Sequence, residues 1–336
     1  MTANGVATPV LEVRDIARHF SASGGTVRAI DGVTLTIARG ETLGLVGESG
    51  CGKTTLGRVA IGLQQPTEGS VRIDGVDLTT LSRGELRRLR KRMQMVFQDP
   101  ISSLNPRLDV EATIAEPLRE LEIVDRKGRP ARVRELLDLV GLPQSFAPRH
   151  ASELSGGQAQ RVAIARALAV EPDLVVADEA VSALDVSVGA QILNLLDDLR
   201  RERGISYLFI THDLAVVEHI SDRIAVMYLG RVMESGPTES LFRAPQHPYT
   251  VALLSATPVA DPSRGRRRER IILRGDLPSP ADPPSGCRFR TRCPIGPLVH
   301  PERTICREVE PPLAESAPGQ LAACHFPGEL ASHGGA

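Results

Sequence analysis

The chain has 336 residues, 24% charged and 41% hydrophobic, and 40 basic against 41 acidic side chains leave a formal net charge of -1. That length fits two domains, or one large domain with an extension. Charge so balanced offers no bulk attraction to a polyanion and disfavours general binding of DNA or RNA. No run of about 18 apolar residues occurs, and Met1 to Leu11 lacks the basic-then-apolar pattern of a signal peptide. The expectation is a chain that neither spans a membrane nor is secreted by that route. Only Lys53, Lys91 and Lys127 are lysines, which singles each of them out. Five cysteines without an export signal are expected to stay reduced, leaving burial or metal ligation as their role.

From Leu11 to about Gly75, short β-branched runs between turn residues predict strands, among them Val33 to Ile37 and Thr42 to Val46. A glycine-rich stretch follows, and Thr54 to Leu63 then carries apolar residues at helical spacing, giving strand, loop and helix. Between about Leu81 and His150 the chain becomes rich in arginine and glutamate. Val133, Leu136, Leu137 and Val140 share one helical face there, which predicts a helical insert. Leu174 to Ala177 and Tyr207 to Ile210 read as buried strands, and Gln191 to Arg203 as an amphipathic helix. Strands alternating with helices predict an α/β fold whose parallel sheet is covered on both faces. Past Tyr249, Pro258, Pro262, Pro278, Pro280, Pro283 and Pro284 with the basic run Arg264 to Arg270 read as a linker bearing solvated charge. Gly286 to Phe326 holds four of the five cysteines, and Glu329 to Ala336 reads as a frayed tail.

Gly47-Glu48-Ser49-Gly50-Cys51-Gly52-Lys53-Thr54, followed by Thr55, fits G-x-x-x-x-G-K-[ST] where a strand passes into a helix. In such a loop the backbone N–H groups curl around phosphates, Lys53 reaches the β- and γ-phosphates, and the Thr54 hydroxyl ligates Mg²⁺. Leu174-Val175-Val176-Ala177-Asp178-Glu179 is an apolar strand ending in two carboxylates, at the sheet end where open α/β folds bind ligands. Asp178 is the candidate to hold Mg²⁺ through water, and Glu179 the candidate to orient or deprotonate an attacking water.

Leu154-Ser155-Gly156-Gly157-Gln158, with Arg161 after it, resembles the signature of ATP-binding cassette (ABC) ATPases. The other family elements follow in the family's order over roughly residues 10 to 245. Gln98 resembles the loop glutamine that senses Mg²⁺ and water, Asp185 in Ser182-Ala183-Leu184-Asp185 the loop that signals across a dimer, and His212 the switch histidine at the γ-phosphate. Phe20 stands where the family places an aromatic ring against adenine. Ala180 and Val181 depart from the usual proline and threonine after the catalytic glutamate. The resemblance implies a mixed β-sheet core over 10–250 with a helical subdomain near 100–165, a linker at 251–284 and an extension at 285–328. It also implies a head-to-tail dimer in which Ser155, Gly156 and Gly157 act on the neighbour's γ-phosphate.

Phe97-Gln98-Asp99-Pro100-Ile101-Ser102-Ser103-Leu104-Asn105-Pro106-Arg107 and His247-Pro248-Tyr249-Thr250 resemble the ATPases of dipeptide, oligopeptide and nickel importers, and the opening Val27 to Val33 resembles their F-type subunit. The implied function is MgATP hydrolysis driving peptide uptake, on the cytoplasmic face of the cell membrane. The implied partners are a second, homologous ATPase, two permease subunits and an extracytoplasmic peptide-binding protein, with no nucleic acid. A nickel or other small-solute importer, or a soluble ABC ATPase outside transport, are the competing readings.

Cys287, Cys293, Cys306 and Cys324 are spaced x5, x12 and x17 in a tail poor in hydrophobic mass. Tetrathiolate sets suit a [4Fe-4S] cluster or Zn²⁺, and plain reduced thiols behave as small buried hydrophobes. All three readings stay open at this stage. Any such centre is expected to be structural, because the tail lies far in sequence from the phosphate loop.

Overall fold

A computed structural model describes residues 8–22, 25–257 and 270–333. Pro258, Pro262 and Arg264 to Arg268 of the expected linker lie outside the described residues. In chain order the strands are β1 (Leu11–Ala22), β2 (Gly25–Ile37), β3 (Thr42–Val46), β4 (Glu68–Ile73), β5 (Val76–Asp77) and β6 (Met93–Val96). They continue as β7 (Leu174–Asp178), β8 (Ser206–Thr211), β9 (Arg223–Tyr228), β10 (Arg231–Pro237), β11 (Ala314–Ala317) and β12 (Gln320–Ala322).

The central sheet runs β11-β12-β10-β9-β3-β8-β7-β6, and a smaller antiparallel sheet runs β2-β1-β4-β5. From β9 to β6 neighbouring strands are parallel, whereas β10, β12 and β11 join antiparallel. The mixed sheet is the one expected. β3, β7 and β8 are buried at every residue. This explains why their sequences read as continuous apolar runs and not as alternating ones.

Two apolar cores flank this sheet. One fills the space between the small sheet, the helix Lys53–Ala60 and one face of the central sheet. The other joins the opposite face to the helical insert, whose helices span Val110–Glu120, Arg129–Leu139 and Gly156–Leu168. Val133, Leu136, Leu137 and Val140, the predicted helical face, are all buried in this second core. The helix predicted from Gln191 begins five residues earlier, at Val186, because the Asp185 carboxylate caps it by accepting the Val188 N–H at 2.9 Å.

In the extension β12 pairs with β10 and lengthens the central sheet, while Cys287, Phe289 and Cys306 enter the second core. Glu329–His333, expected to fray, is helical, and Arg303 pairs with Glu329 at 2.6 Å. A segment short of apolar mass gains cohesion here by docking on a large core it does not itself supply.

Candidate active site

The phosphate loop leaves β3 at Gly47, whose φ is +155°. A Cβ at Gly47 would stand 2.1 Å from the Met227 carbonyl oxygen, so only glycine lets the loop turn here. Ser49 and Gly50 form its exposed outer turn, and Gly52 precedes the helix Lys53–Ala60, which also carries Thr54 and Thr55. The Lys53 ammonium curls back over the loop, donating to the Gly47 and Glu48 carbonyls at 2.8 and 3.0 Å. Lys53 is 5% exposed, so its charge sits at the loop's mouth with little water around it. Beside it, burial pushes the Cys51 thiol up.

Two further strand ends deliver their side chains to the same edge of the sheet. At the end of β7 the Asp178 carboxylate accepts the Thr54 hydroxyl at 3.0 Å. Burial above all pushes the Asp178 carboxyl up, and neighbouring Glu179 adds to this against the opposing pull of Thr54, Arg58 and Lys53. Two oxygen donors side by side, one an under-neutralised buried carboxylate, are a donor set that fits a small hard cation. Glu179 has φ +48°, a backbone conformation rare for a side-chain-bearing residue, and its N–H is anchored on the Ile210 carbonyl at 2.8 Å. So turned, its carboxylate receives the Gln98 amide at 2.8 Å and stands 3.2 Å from His212 Nδ1. Three segments far apart in sequence therefore meet on one carboxylate. Ala180 is buried and Val181 packs on the core, so the departure after Glu179 is absorbed as apolar contact.

The remaining sequence candidates lie apart from this cluster. Phe20 sits on β1 in the small sheet, with the Arg18 guanidinium 4.5 Å from its ring centroid. Ser155 caps the helix Gly156–Leu168 in a reciprocal pair with Gln158. A Cβ at Gly157 would lie 2.4 Å from Val188 Cγ1, so the signature packs closely on the helix that Asp185 caps. The Val188 N–H bond above all lowers the Asp185 carboxyl pKa, keeping this cap charged. Next to it Val186 is 91% exposed, an apolar side chain on open surface.

Sequence reasoning missed the second support of the loop. The Tyr249 hydroxyl, from the His247-Pro248-Tyr249-Thr250 motif, accepts the Glu48 N–H at 3.0 Å. Its ring packs at a tilt against Tyr228 and Phe289, with centroids 4.8 and 5.3 Å away. Burial pushes the His247 imidazole down to about 3, so it stays neutral and accepts the Tyr249 N–H at 3.0 Å. Arg292 of the tail bonds Glu48 at 2.8 Å. The tail, far in sequence from the phosphate loop, thus touches it, since separation along the chain says nothing about separation in the fold. The motif His247 to Thr250 was the available signal; what it touches was not legible.

The four tail cysteines line one cavity with room for about 10 Å³, the space of a single water. Burial pushes the thiols up, Cys287 to about 11 and Cys293 and Cys324 to about 12, with Cys306 also raised. Among the described residues no three His, Cys, Asp or Glu side chains are placed to hold a metal ion. The four sulfurs share a cavity without forming a ligand set in this arrangement, which leaves an iron–sulfur cluster, zinc and reduced thiols as the three readings.

Residues 30–182 match the family model described as "ABC transporter", and residues 233–296 match "Oligopeptide/dipeptide transporter, C-terminal region". The chain is 54% identical over 320 residues to YkfD of Bacillus subtilis (strain 168), named for oligopeptide transport ATP binding, covering 95% of each chain. It is 50% identical over 334 residues to the oligopeptide transport ATP-binding protein AppF of the same organism, covering 97% of this chain and 99% of AppF. The ATP-binding cassette MJ0796, solved as a dimer bound to ADP and Pi, superposes with a TM-score of 0.64 at 32% identity, over 68% of this chain and 98% of that one. Likeness of this extent, over both the cassette and the tail, shows that the chain belongs to the ATP-binding subunits of the oligopeptide/dipeptide ABC importer family.

Proposed function

We propose that this subunit hydrolyses MgATP at the edge formed by β3, β7 and β8, and that hydrolysis drives peptide import through partner permeases. The observation that carries the reading is the convergence of Gln98 and His212 on the Glu179 carboxylate, beside the Thr54 and Asp178 pair. A bound magnesium ion supplies positive charge to the phosphates, and Thr54 and Asp178 are the residues that would hold it, with Gln98 nearby. Lys53 adds a fixed positive charge at the loop mouth, where preorganised charge needs no rearrangement during reaction. Glu179 takes the water's proton or orients it, His212 and Gln98 hold that carboxylate in place, and Phe20 offers a ring for the base.

The finer assembly is part of the proposal. Ser155, Gly156, Gly157 and Gln158 complete the site of a second ATPase subunit, and Asp185 lies in the contact between them. Exposed Val186 beside that cap supports this reading, as does the dimeric state of the related MJ0796. A groove lined by Leu63, Met95, Phe97, Pro117 and Leu121, next to the Gln98 loop, supports docking of the two permeases there. Among the described residues no helix is long and apolar enough to cross a membrane. The subunit is assigned to the cytoplasmic face, served by an extracytoplasmic peptide-binding protein. For the tail, the iron–sulfur reading of Cys287, Cys293, Cys306 and Cys324 rests on their sharing one cavity. Iron, acid-labile sulfide and zinc assayed in anaerobically purified protein test it, and the absence of all three leaves reduced thiols.

The test of the main reading is ATP turnover and uptake of labelled di- and oligopeptides in vesicles holding the assembled transporter. Glu179→Gln is expected to bind ATP and lose both turnover and uptake. Normal turnover in that variant removes Glu179 from its role. Turnover indifferent to permeases and peptide removes the transport assignment, and uptake of nickel instead of peptide redirects it.

A further inference from the structure

The extension reaches the nucleotide site at two points. Arg292 is 11% exposed in its side chain, and its Nη1 donates to Glu48 Oε2 at 2.8 Å while its guanidinium lies 5.9 Å from the Tyr228 ring centroid. Four residues earlier Arg288, 5% exposed, pairs with Asp31 and donates to the Leu229 carbonyl at 2.6 Å. Asp31 in turn meets His19, the neighbour of Phe20, at 3.3 Å. The extension is thus fastened both to the phosphate loop and to the hairpin carrying the candidate adenine ring.

Glu48 is the second residue of the phosphate loop and is held on three sides. Its carbonyl accepts Lys53 Nζ, its N–H is bound by Tyr249, and its carboxylate is bound by Arg292. A carboxylate in a loop that must receive several phosphate charges is an electrostatic liability, because like charges a few ångströms apart repel strongly where water is scarce. The Arg292 bond removes it in two ways. It cancels the charge, and it draws the carboxylate toward the extension, where a charge-assisted bond at this distance is strong.

We propose that Arg292 is a positioning residue for ATP binding, by which the C-terminal extension sets the nucleotide affinity of the phosphate loop through Glu48. The inference rests on the reading of that loop as an ATP site. Arg292 touches no reacting atom. Its loss weakens binding of ground state and transition state alike, which raises KM and leaves kcat in place.

The experiment measures MgATP affinity of the full-length chain by displacement of a fluorescent ATP analogue, together with KM and kcat in the assembled transporter. Arg292→Ala is expected to weaken ATP binding about tenfold, the size of an ordinary coupling between sites. Its kcat stays within about twofold, and Arg292→Lys, which restores the charge, recovers most of the affinity. The double variant Arg292→Ala with Glu48→Gln is expected to return to within about threefold of the unmodified chain, because no bare carboxylate remains to repel the phosphates. Unchanged affinity in Arg292→Ala overturns the proposal. A double variant as weak as Arg292→Ala also overturns it, since Arg292 then acts only as packing. Should Arg292→Ala fail to fold, Arg292→Gln, which keeps the stem against Tyr228, carries the same comparison. Failure of the unmodified chain to bind ATP would instead refute the loop reading itself.

Discussion

Replacing Tyr249 with phenylalanine isolates a single hydrogen bond beneath the phosphate loop. Tyr249 is fully buried, and its ring is fixed by Tyr228 and Phe289 at centroid distances of 4.8 and 5.3 Å, so phenylalanine refills the space. What disappears is the acceptor for the Glu48 N–H at 3.0 Å. A neutral bond of this kind contributes about 1 kcal/mol net, and an N–H left without a partner in a partly buried place costs about 1–3 kcal/mol. We therefore expect a total loss of about 1–3 kcal/mol, borne by stability if the loop stays closed over the orphaned donor and by ATP affinity if it opens. On the affinity side each 1.4 kcal/mol is tenfold. Urea unfolding and equilibrium binding of MgATP, measured on the same preparation, capture both shares. If neither changes by more than experimental scatter, the motif His247 to Thr250 does not support the loop through this bond, and the reasoning fails.

Three further outcomes are expected. Gly47→Ala places a Cβ 2.1 Å from a carbonyl oxygen of β9's Met227, so ATP binding should be lost while circular dichroism stays near that of the unmodified chain; tight binding would show that the loop has another path. Leu136→Ala, in the helical insert where Leu136 is 1% exposed, should cost about 2–5 kcal/mol in denaturant unfolding, and a loss under about 1 kcal/mol would mean the insert is loosely packed. Burial alone would push the Asp31 carboxyl up, but the Arg288 bond and charge, with Arg231 and His19, outweigh it and leave it below its ordinary 3.8. A depressed carboxyl contributes stability that is present above the unfolded value and lost as pH falls through the folded one. Acid unfolding below about pH 4 should therefore be steeper in the unmodified chain than in Asp31→Asn, and parallel profiles would contradict the pairing.

How legible the chemistry was depended on whether it was local. The phosphate loop, the carboxylates after β7 and the helical face around Leu136 were readable because each is written in consecutive residues or in one helical repeat. Asp178 and Glu179 were recognisable by type and place, yet the positive φ that turns Glu179 toward Gln98 and His212 was not. That conformation is imposed by an anchor on β8, 31 residues further along the chain, through the bond from the Glu179 N–H to Ile210.

The family, the succession of strands and helices and the residue types at the nucleotide site are legible along the chain, because backbone geometry and phosphate recognition demand particular residues at fixed short spacings. The role of the tail emerges only from its packing. Its place as an added edge of the central sheet, the Tyr249 and Arg292 contacts to Glu48, and the gathering of four sulfurs around one small cavity all join segments far apart in sequence. Such contacts follow from how sheets extend and cores fill, and no local pattern of residues encodes them.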